Sequence, residues 1–204
     1  PQRPTMTAGG PPIPPKPLGA VLGSKGPVVE LFVDLACPPS KRLFTTVYGQ
    51  VRKSGPPAQF VLYNVVQPWH PQSTVMHEAA LAVKEIGPAQ FWPYMAAVFE
   101  RQDQFLDSAV VSLSRVDLAQ RLAAIAEEAC GVPAAQVERM LRVTKEGNAG
   151  NEVTQLVKWH VKHHRARGVH VTPTVFTHGI ETPQISSGST AQEWAAFLNE
   201  VAGA

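Results

Sequence analysis

The sequence has few cysteines, little excess charge and no long apolar run. Only 2 of the 204 residues are cysteine, too few for the disulfide framework of a small secreted domain. The formal net charge is only +2, and no run of Lys or Arg is interleaved with aromatic residues, so we expect no nucleic-acid partner. No stretch reaches the roughly 18 consecutive apolar residues that span a bilayer, so we expect no membrane insertion.

Motifs of several enzyme classes are also absent. The sequence contains neither a glycine-rich phosphate loop of the P-loop type nor one of the dinucleotide-binding type. It has no Gly-x-Ser-x-Gly elbow and no paired-carboxylate motif. The residues therefore do not indicate a nucleotide-dependent enzyme, an α/β-hydrolase or a glycosidase.

The composition is that of a globular protein with one domain, or with one domain that carries an insertion. Apolar residues make up 44% and charged residues 17% of the chain, unlike a disordered chain. With two cysteines and no apolar leader in residues 1–26, we expect a reducing, intracellular compartment, the cytoplasm or another. The chain starts at Pro1 rather than Met, so a leader removed before Pro1 stays an alternative.

The first third of the chain predicts an extended arm followed by a β-α-β unit. Residues 1–17 are dense in Pro and Gly and predict an extended arm; a polyproline ligand at Pro11–Pro15 is an alternative. The apolar run Val28–Val33 predicts a buried strand. Prolines at its start and apolar residues at helical spacing predict a helix over residues 38–53. A second strand is predicted over residues 59–66, and the crossover should be right-handed.

The remainder predicts helices and then a return to strands. Ser73 is predicted to cap the first of these helices. The predicted helices span about residues 73–86, 89–101, 116–130, 134–143 and 149–167. Strands follow at about residues 175–177 and 180–185 around the turn at His178-Gly179, and Thr190 begins a closing amphipathic helix.

This order, βαβ, then helices, then ββα, predicts an α/β fold. Helices that lie between two sheet-forming ends indicate one sheet with an inserted all-helical subdomain rather than two independent domains. We therefore predict three parts: an arm over residues 1–26, a sheet domain made of residues 27–67 and 168–204, and a helical insertion over residues 68–167.

Cys37 is the leading candidate for a reactive residue, because it follows the first predicted strand and begins the first predicted helix. The first N–H groups of a helix lack intrahelical partners, and a thiolate gains from those donors and from the helix dipole. The dipole alone contributes roughly 0.3–2 kcal/mol, so the N–H donors must contribute as well. The alternative is an inert cysteine on a scaffold that only binds a partner.

Several segments resemble the thioredoxin superfamily, and in particular its DsbA-like branch. They are the Cys-Pro-Pro-Ser motif at residues 37–40, the Thr-Pro at residues 172–173 before a strand, and residues 91–99, which resemble the Phe-Trp-x-Tyr segment of the branch's helical insertion. The stretch from Gly168 to Pro173 fits the same branch. The resemblance spans about residues 27–202 and implies a thioredoxin-like fold with a helical insertion.

The resemblance implies a role for each matching residue. Cys37 matches the attacking cysteine, and Pro38 and Pro39 match the pair that follows it. Pro173 matches the cis-proline that faces this cysteine, and Thr172 matches the residue whose backbone pairs with a bound substrate.

Ser40 departs from the family pattern, because the redox members have a second cysteine at its position. That cysteine's thiolate expels the substrate from the mixed disulfide, which a serine hydroxyl cannot do near neutral pH. Cys37 and Ser40 therefore cannot cycle as a dithiol, and turnover requires an external thiol such as glutathione. A serine engineered in place of a cysteine is an alternative that the sequence leaves open.

We therefore expect a DsbA-like, thiol-dependent oxidoreductase-type protein. Its single active-site cysteine, Cys37, would form mixed disulfides with a thiol- or disulfide-containing protein or with glutathione. Glutathione would be a cosubstrate, and we expect no bound cofactor or metal. One alternative is a glutathione-binding transferase or isomerase, similar to the kappa class, in which Ser40 or Cys37 places the sulfur of glutathione. Another is a non-catalytic binding module. The sequence does not predict an oligomeric state.

Three histidines on the last predicted helix of the insertion could suggest a metal site. His160 and His164 are four residues apart, a spacing that can place two imidazoles on one metal ion. Lys and Arg residues surround them and disfavour a cation. We therefore predict that His160, His163 and His164 lie on a solvated helix face.

The remaining candidates have local interpretations. His170, three residues before Pro173, is a candidate substrate-binding residue, because an imidazole near Cys37 could favour its thiolate; its alternation with the flanking valines equally allows it to point away. We expect Cys130 to be a buried side chain of the insertion. Trp69 and His70 are expected to form a packed turn, with lining of a substrate pocket as the alternative. The aromatic residues expected in the core are Trp92, Tyr94 and Phe99.

Overall fold

The computed structural model of the protein describes residues 12–144 and 146–203, with Ser54 described by its backbone alone. Residues 1–11, which include the first part of the predicted arm and the first proline of the alternative polyproline ligand, lie outside the described residues. The described strands form one five-stranded sheet in the order β1-β3-β2-β4-β5. The strands are β1 (Ala20–Leu22), β2 (Val28–Val33), β3 (Gln59–Asn64), β4 (Thr174–Thr177) and β5 (Ile180–Glu181).

The predicted β-α-β unit is confirmed. β2 pairs in parallel with β3, Leu31 lying opposite Leu62, and antiparallel with β4 on its other side. Helix α1 (Pro38–Thr46) continues through a π-helical turn (Val47–Val51) into the short α2 (Arg52–Ser54), so the predicted extent is right and only the π-helical turn is new. Prolines fit the first two positions of α1, because an N–H group at these positions would have no acceptor within the helix.

Alternation along β2 separates the two faces of the sheet. Val29, Leu31 and Val33 join the main core, while Phe32 belongs to a second cluster on the opposite face. Glu30, on that same face, pairs with Arg167 through two contacts of 3.0 and 2.8 Å. A strand buried on both faces explains why its sequence is nearly continuous in apolar residues.

The five predicted helices of the middle segment and the closing helix are confirmed, most with shifted ends, and one further short helix among them was not predicted. They are α3 (Ser73–Ile86), α4 (Phe91–Glu100), α5 (Asp107–Val110), α6 (Arg115–Cys130), α7 (Ala134–Leu141), α8 (Thr154–Ala166) and α9 (Ala191–Val201), with 3-10 turns at Pro88–Gln90 and Gln102–Phe105. Thr190 caps α9 as expected, in a reciprocal capping box with Glu193. The aromatic residues Trp92, Tyr94 and Phe99 are buried in the core, as predicted. None of the helices in the described ranges is long and apolar enough to cross a bilayer.

Two local predictions were wrong. Ser73 does not cap α3, because its hydroxyl donates a hydrogen bond to the Asp34 carboxylate, 2.8 Å away. The strand β1 was missed, since it lies within the stretch assigned to the arm; it pairs antiparallel with β3, Ala20 opposite Leu62. Ahead of β1 the chain packs on the helices, where the indole N–H of Trp159 donates to the Pro12 carbonyl (2.6 Å).

The prediction of a solvated histidine face on α8 was also wrong. His160 and His164 are buried, because α8 lies against the sheet with this face inward. The Nδ1 atom of His160 accepts a hydrogen bond from the backbone N–H of Asn64 (3.3 Å), and the His163 ring lies 4.5 Å from that of Tyr63. Within the described residues no group of three or more His, Cys, Asp and Glu side chains could hold a metal ion.

Burial makes this helix face sensitive to acid. Desolvation, reinforced by the positive charge of Lys84, lowers the pKa of His160 to about 3, and desolvation also lowers the pKa of His164. A histidine that is neutral when folded but takes up a proton when unfolded stabilises the fold only above its unfolded pKa, near 6.5. That stability is lost as the pH falls toward the folded value.

We predict that His160→Asn flattens the dependence of stability on pH. Asparagine keeps an acceptor for the Asn64 N–H but does not titrate. The wild type should lose about 2 kcal/mol more of its unfolding free energy than the variant between pH 7 and pH 5. Urea unfolding at both pH values measures this, with the exposed His178→Asn as the control. Equal losses in His160→Asn and wild type would show that His160 is not the acid-sensitive group.

Candidate functional site

Cys37 lies at the start of α1, just beyond the carboxyl end of β2. Its backbone N–H donates to the Asp34 carbonyl (3.1 Å), and its own carbonyl accepts from the N–H of Lys41 (3.2 Å). These two bonds turn the chain from strand into helix. The residue is 9% exposed, so its side chain lies at the edge of the surface.

The sulfur of Cys37 faces the loop that precedes β4. Its thiol donates a hydrogen bond to the carbonyl oxygen of Thr172, 3.2 Å away. The peptide bond between Thr172 and Pro173 is cis. The fold thus brings together the Cys-Pro-Pro-Ser motif and the Thr-Pro motif, although 135 residues separate Cys37 from Thr172.

The two prolines change how the helix start can act on the sulfur. Pro38 and Pro39 occupy the first two positions of α1, and proline has no N–H. Among the first four residues of the helix only Ser40 and Lys41 carry an N–H, and that of Lys41 donates to the Cys37 carbonyl. The contribution expected from N–H donors at the helix start is therefore reduced by two donors. The hydrogen bond to the Thr172 carbonyl, in contrast, requires the protonated thiol and is not available to the thiolate.

Ser40, in the first turn of α1 and three residues after Cys37, is fully buried. Its hydroxyl oxygen accepts a hydrogen bond from the backbone N–H of Asp34, 3.2 Å away. This bond ties the first turn of α1 to the loop that leads into it. The hydroxyl thus has a structural partner in the position where redox relatives of the resembled family carry a second cysteine.

Asp34 is the central polar residue of the site, and sequence reasoning missed it. Its Oδ1 accepts from the Ala36 N–H (2.9 Å) and the Ser73 hydroxyl (2.8 Å) and lies 3.3 Å from Nε2 of His77, while its Oδ2 accepts from the Gln67 N–H (3.0 Å). Burial raises the pKa of Asp34, but the hydrogen bond and charge of His77, with the Ala36 and Ser73 donors, outweigh burial and hold that pKa below its usual value. A carboxylate three residues before the cysteine, directly after an apolar strand, was the available signal.

The polar network extends from Asp34 across the sheet. Nδ1 of His77 lies 2.8 Å from the side-chain oxygen of Asn64, whose backbone N–H donates to His160. Gln102 donates its side-chain amide to the Leu35 carbonyl (2.8 Å). Helix α3 and the turn before α5 therefore hold the segment that presents Cys37, and α8 is linked to it only through Asn64 and His77.

Other candidates from the sequence lie at the edge of this site or away from it. The His170 side chain is exposed, and its backbone carbonyl accepts from the side chain of Gln67 (3.3 Å). Trp69 is 58% exposed, so the predicted packed turn is wrong for this residue; it lines a groove of about 550 Å³ together with Val110 and Val111. Cys130 is half-buried at the end of α6, and burial raises the pKa of its thiol, which fits a structural role.

Comparison with known proteins supports the architecture. No protein-family model matches the chain, and no curated protein sequence matches it either. Among solved structures, the chain is similar to a candidate protein-disulfide isomerase from Pseudomonas syringae, with 24% identity, a TM-score of 0.71 and coverage of 88% of this chain and 97% of the other.

Two further structures give the same result. One is oxidised BdbD from Bacillus subtilis, with 16% identity, a TM-score of 0.68 and coverage of 92% of this chain and 94% of the other. The second is the reduced disulfide bond oxidoreductase DsbG from Mycobacterium tuberculosis, with 21% identity, a TM-score of 0.63 and coverage of 91% and 88%. The chain has the thioredoxin-like fold with a helical insertion that DsbA-like proteins share, as the sequence predicted.

We predict that Asp34→Asn destabilises the protein strongly. The amide offers one acceptor oxygen in place of two and sets a second donor against the Gln67 N–H, so the loss at pH 7 should be about 3 kcal/mol or more. Because the folded pKa of Asp34 is lowered, this stabilisation is present above pH ~4 and lost as the pH falls further. Urea unfolding measures it. Asp103→Asn, whose side chain is 84% exposed, is the control, and a loss in Asp34→Asn no larger than in this control would contradict the role given to Asp34.

Proposed function

We propose that this chain, which has the fold of the DsbA-like thiol-disulfide oxidoreductases, exchanges disulfides through the single thiol of Cys37. The observation that carries the proposal is the 3.2 Å contact between Sγ of Cys37 and the carbonyl oxygen of Thr172. It joins a cysteine at a helix start to the loop that, in the resembled family, pairs with a bound substrate. A substrate held on that loop has its sulfur within reach of the thiol.

The proposed reaction is one thiol-disulfide exchange. Cys37 loses its proton to solvent, and its thiolate attacks one sulfur of a substrate disulfide, R–S–S–R′. A bond forms between Cys37 Sγ and the sulfur of R, the bond between the two substrate sulfurs breaks, and R′ leaves as a thiolate that takes up a proton. One disulfide is consumed and one is formed, so the step needs no further oxidant.

The proposed release step depends on an external thiol. Ser40 has no thiolate to attack the mixed disulfide, and its buried hydroxyl is engaged with the Asp34 N–H. A small thiol such as glutathione then attacks the substrate sulfur of the mixed disulfide, returns the Cys37 thiol and leaves as a glutathione–substrate disulfide. The mixed disulfide should therefore persist until such a thiol arrives.

The surroundings of Cys37 favour a polypeptide substrate. Pro38 is exposed and Pro39 half-buried beside the sulfur, and they form a rigid surface without N–H donors. Val171, next to Thr172, is 63% exposed. An extended peptide could add to the Thr172 backbone as a short strand while its side chains contact these apolar residues.

The kappa-class alternative receives less support from the same geometry. In that interpretation Ser40 or Cys37 places the sulfur of glutathione, but the Ser40 side chain is fully buried and already accepts a hydrogen bond, which leaves only Cys37 for this role. Glutathione therefore enters this proposal as the thiol of the release step.

A peptide joined to thionitrobenzoate through a disulfide tests the first step. We expect the wild type and Cys130→Ser to release thionitrobenzoate and to gain the mass of the peptide, and Cys37→Ser to do neither. The adduct should form faster than the same reaction with free glutathione, because the dipole of α1 favours the thiolate and the peptide is held on the Thr172 loop beside the sulfur. The proposal fails when Cys37 reacts no faster than glutathione, and a partner that still binds Cys37→Ser would support the non-catalytic binding module.

A second prediction concerns Ser40→Cys. A thiol at residue 40 would attack the neighbouring mixed disulfide intramolecularly, so the peptide adduct should decay about tenfold faster or more without added thiol. Ser40→Ala should keep the long-lived adduct, at a cost of roughly 1 kcal/mol in stability for the lost Asp34 hydrogen bond. Mass spectrometry of the adduct over time measures both. Adducts of equal lifetime in Ser40→Cys and wild type would show that residue 40 cannot reach the mixed disulfide.

A further inference from the structure

One buried side chain, that of Gln67, joins the two chain segments that form the candidate site. Gln67 is 4% exposed and follows β3 by three residues. Its backbone N–H donates to Oδ2 of Asp34 (3.0 Å). Its side-chain amide donates to the carbonyl of His170 (3.3 Å). The residue thus contacts the Cys37 segment with its backbone and the Thr172 segment with its side chain.

On the Cys37 side, the contact of Gln67 is made through a rigid group. The Asp34 carboxylate that accepts from Gln67 also accepts from the N–H of Ala36, the residue before Cys37, and from the Ser73 hydroxyl. Pro68 follows Gln67 and restricts it to an extended backbone. Gln67 is therefore held at a fixed position relative to the turn that presents the sulfur.

On the loop side, three successive carbonyl groups each have one donor. The His170 carbonyl accepts from Gln67, the Val171 carbonyl from the hydroxyl of Thr174 (2.8 Å), and the Thr172 carbonyl from the thiol of Cys37. The Thr174 bond is local and sets only the shape of the loop. The Cys37 bond must be given up when the thiol reacts, so Gln67 is then the remaining side-chain donor of the three that links this loop to the Cys37 segment.

We infer that Gln67 is a positioning residue that holds the Thr172 backbone at a fixed distance from the Cys37 sulfur, and that it thereby favours disulfides carried on extended polypeptides over small disulfides. The inference rests on the proposed function. A polypeptide must meet two points at once, the sulfur of Cys37 and the backbone of Thr172. A small disulfide needs only the sulfur, so it is indifferent to where the loop lies.

The test variant is Gln67→Met, which keeps the length of the side chain and the backbone N–H but removes the side-chain donor. Gln72→Met is the matched control. Gln72 is likewise buried, at 1% exposure, and its side-chain amide also donates to a backbone carbonyl, that of Phe105 (2.6 Å), and to Asp107 (2.9 Å). It does not contact the Thr172 loop.

Two disulfides with the same leaving group separate positioning from intrinsic reactivity. The first is the peptide–thionitrobenzoate disulfide, and the second is the symmetric disulfide of thionitrobenzoate itself. Gln67→Met should lower the peptide rate constant about tenfold relative to the small-disulfide rate constant. Most of this effect should be a rise in the peptide concentration that gives the half-maximal rate. Gln72→Met should leave this ratio unchanged. Hydrogen exchange of residues 169–173 should rise in Gln67→Met only.

Three outcomes overturn the inference. The first is an unchanged ratio in Gln67→Met, whatever the exchange data show. The second is an equal fall of the ratio in Gln72→Met, which would trace the effect to general destabilisation. The third is unchanged hydrogen exchange of residues 169–173 in Gln67→Met. A wild type that reacts with neither disulfide would instead defeat the proposed function, while hydrogen exchange would still decide whether Gln67 holds the loop.

Discussion

The buried Asp34 carboxylate is the group on which the geometry of the site depends. Two oxygens accept from two backbone N–H groups and one hydroxyl and contact one imidazole, and charge-assisted bonds of this kind are stronger than neutral ones. These partners belong to the loop before α1, the segment after β3 and the helix α3. A single neutral acceptor could not satisfy all of them, so a charge is retained in the interior although its desolvation is costly.

Around this carboxylate the cysteine is presented in an unusual way for a helix start. The two prolines that begin α1 remove two N–H donors, and the thiol finds its partner in the Thr172 carbonyl instead. In the proposed reaction that carbonyl has a second use, because a peptide strand added to the loop would hydrogen-bond to the same backbone. A substrate N–H and the thiol S–H would then compete for one oxygen, so pairing of the peptide would favour loss of the thiol proton and link binding to the chemistry of the sulfur.

The sequence predicted the elements whose signals are local. Val28–Val33 is apolar because it is buried on both faces, and the prolines at residues 38 and 39 mark a helix start. The proximity of the Cys37 and Thr172 segments was predicted from the family resemblance and not from the periodicity of apolar residues. The contacts of Asp34 with Gln67, Ser73 and His77 could not be predicted, since these partners lie 33 to 43 residues away in the chain. The burial of His160 was missed because its Lys and Arg neighbours indicated solvent, whereas His160 lies on the face of α8 that packs on the sheet.

The histidine face of α8 and the cysteine site belong to one polar network. His160 holds the backbone of Asn64, Asn64 holds His77 through its side chain, and His77 contacts Asp34. A proton added to Nδ1 of His160 would remove the acceptor for the Asn64 N–H at the end of β3, three residues before Gln67. The segment that ties Cys37 to the Thr172 loop therefore begins where α8 is anchored to the sheet, so that loosening this anchor would disturb the spacing of the site.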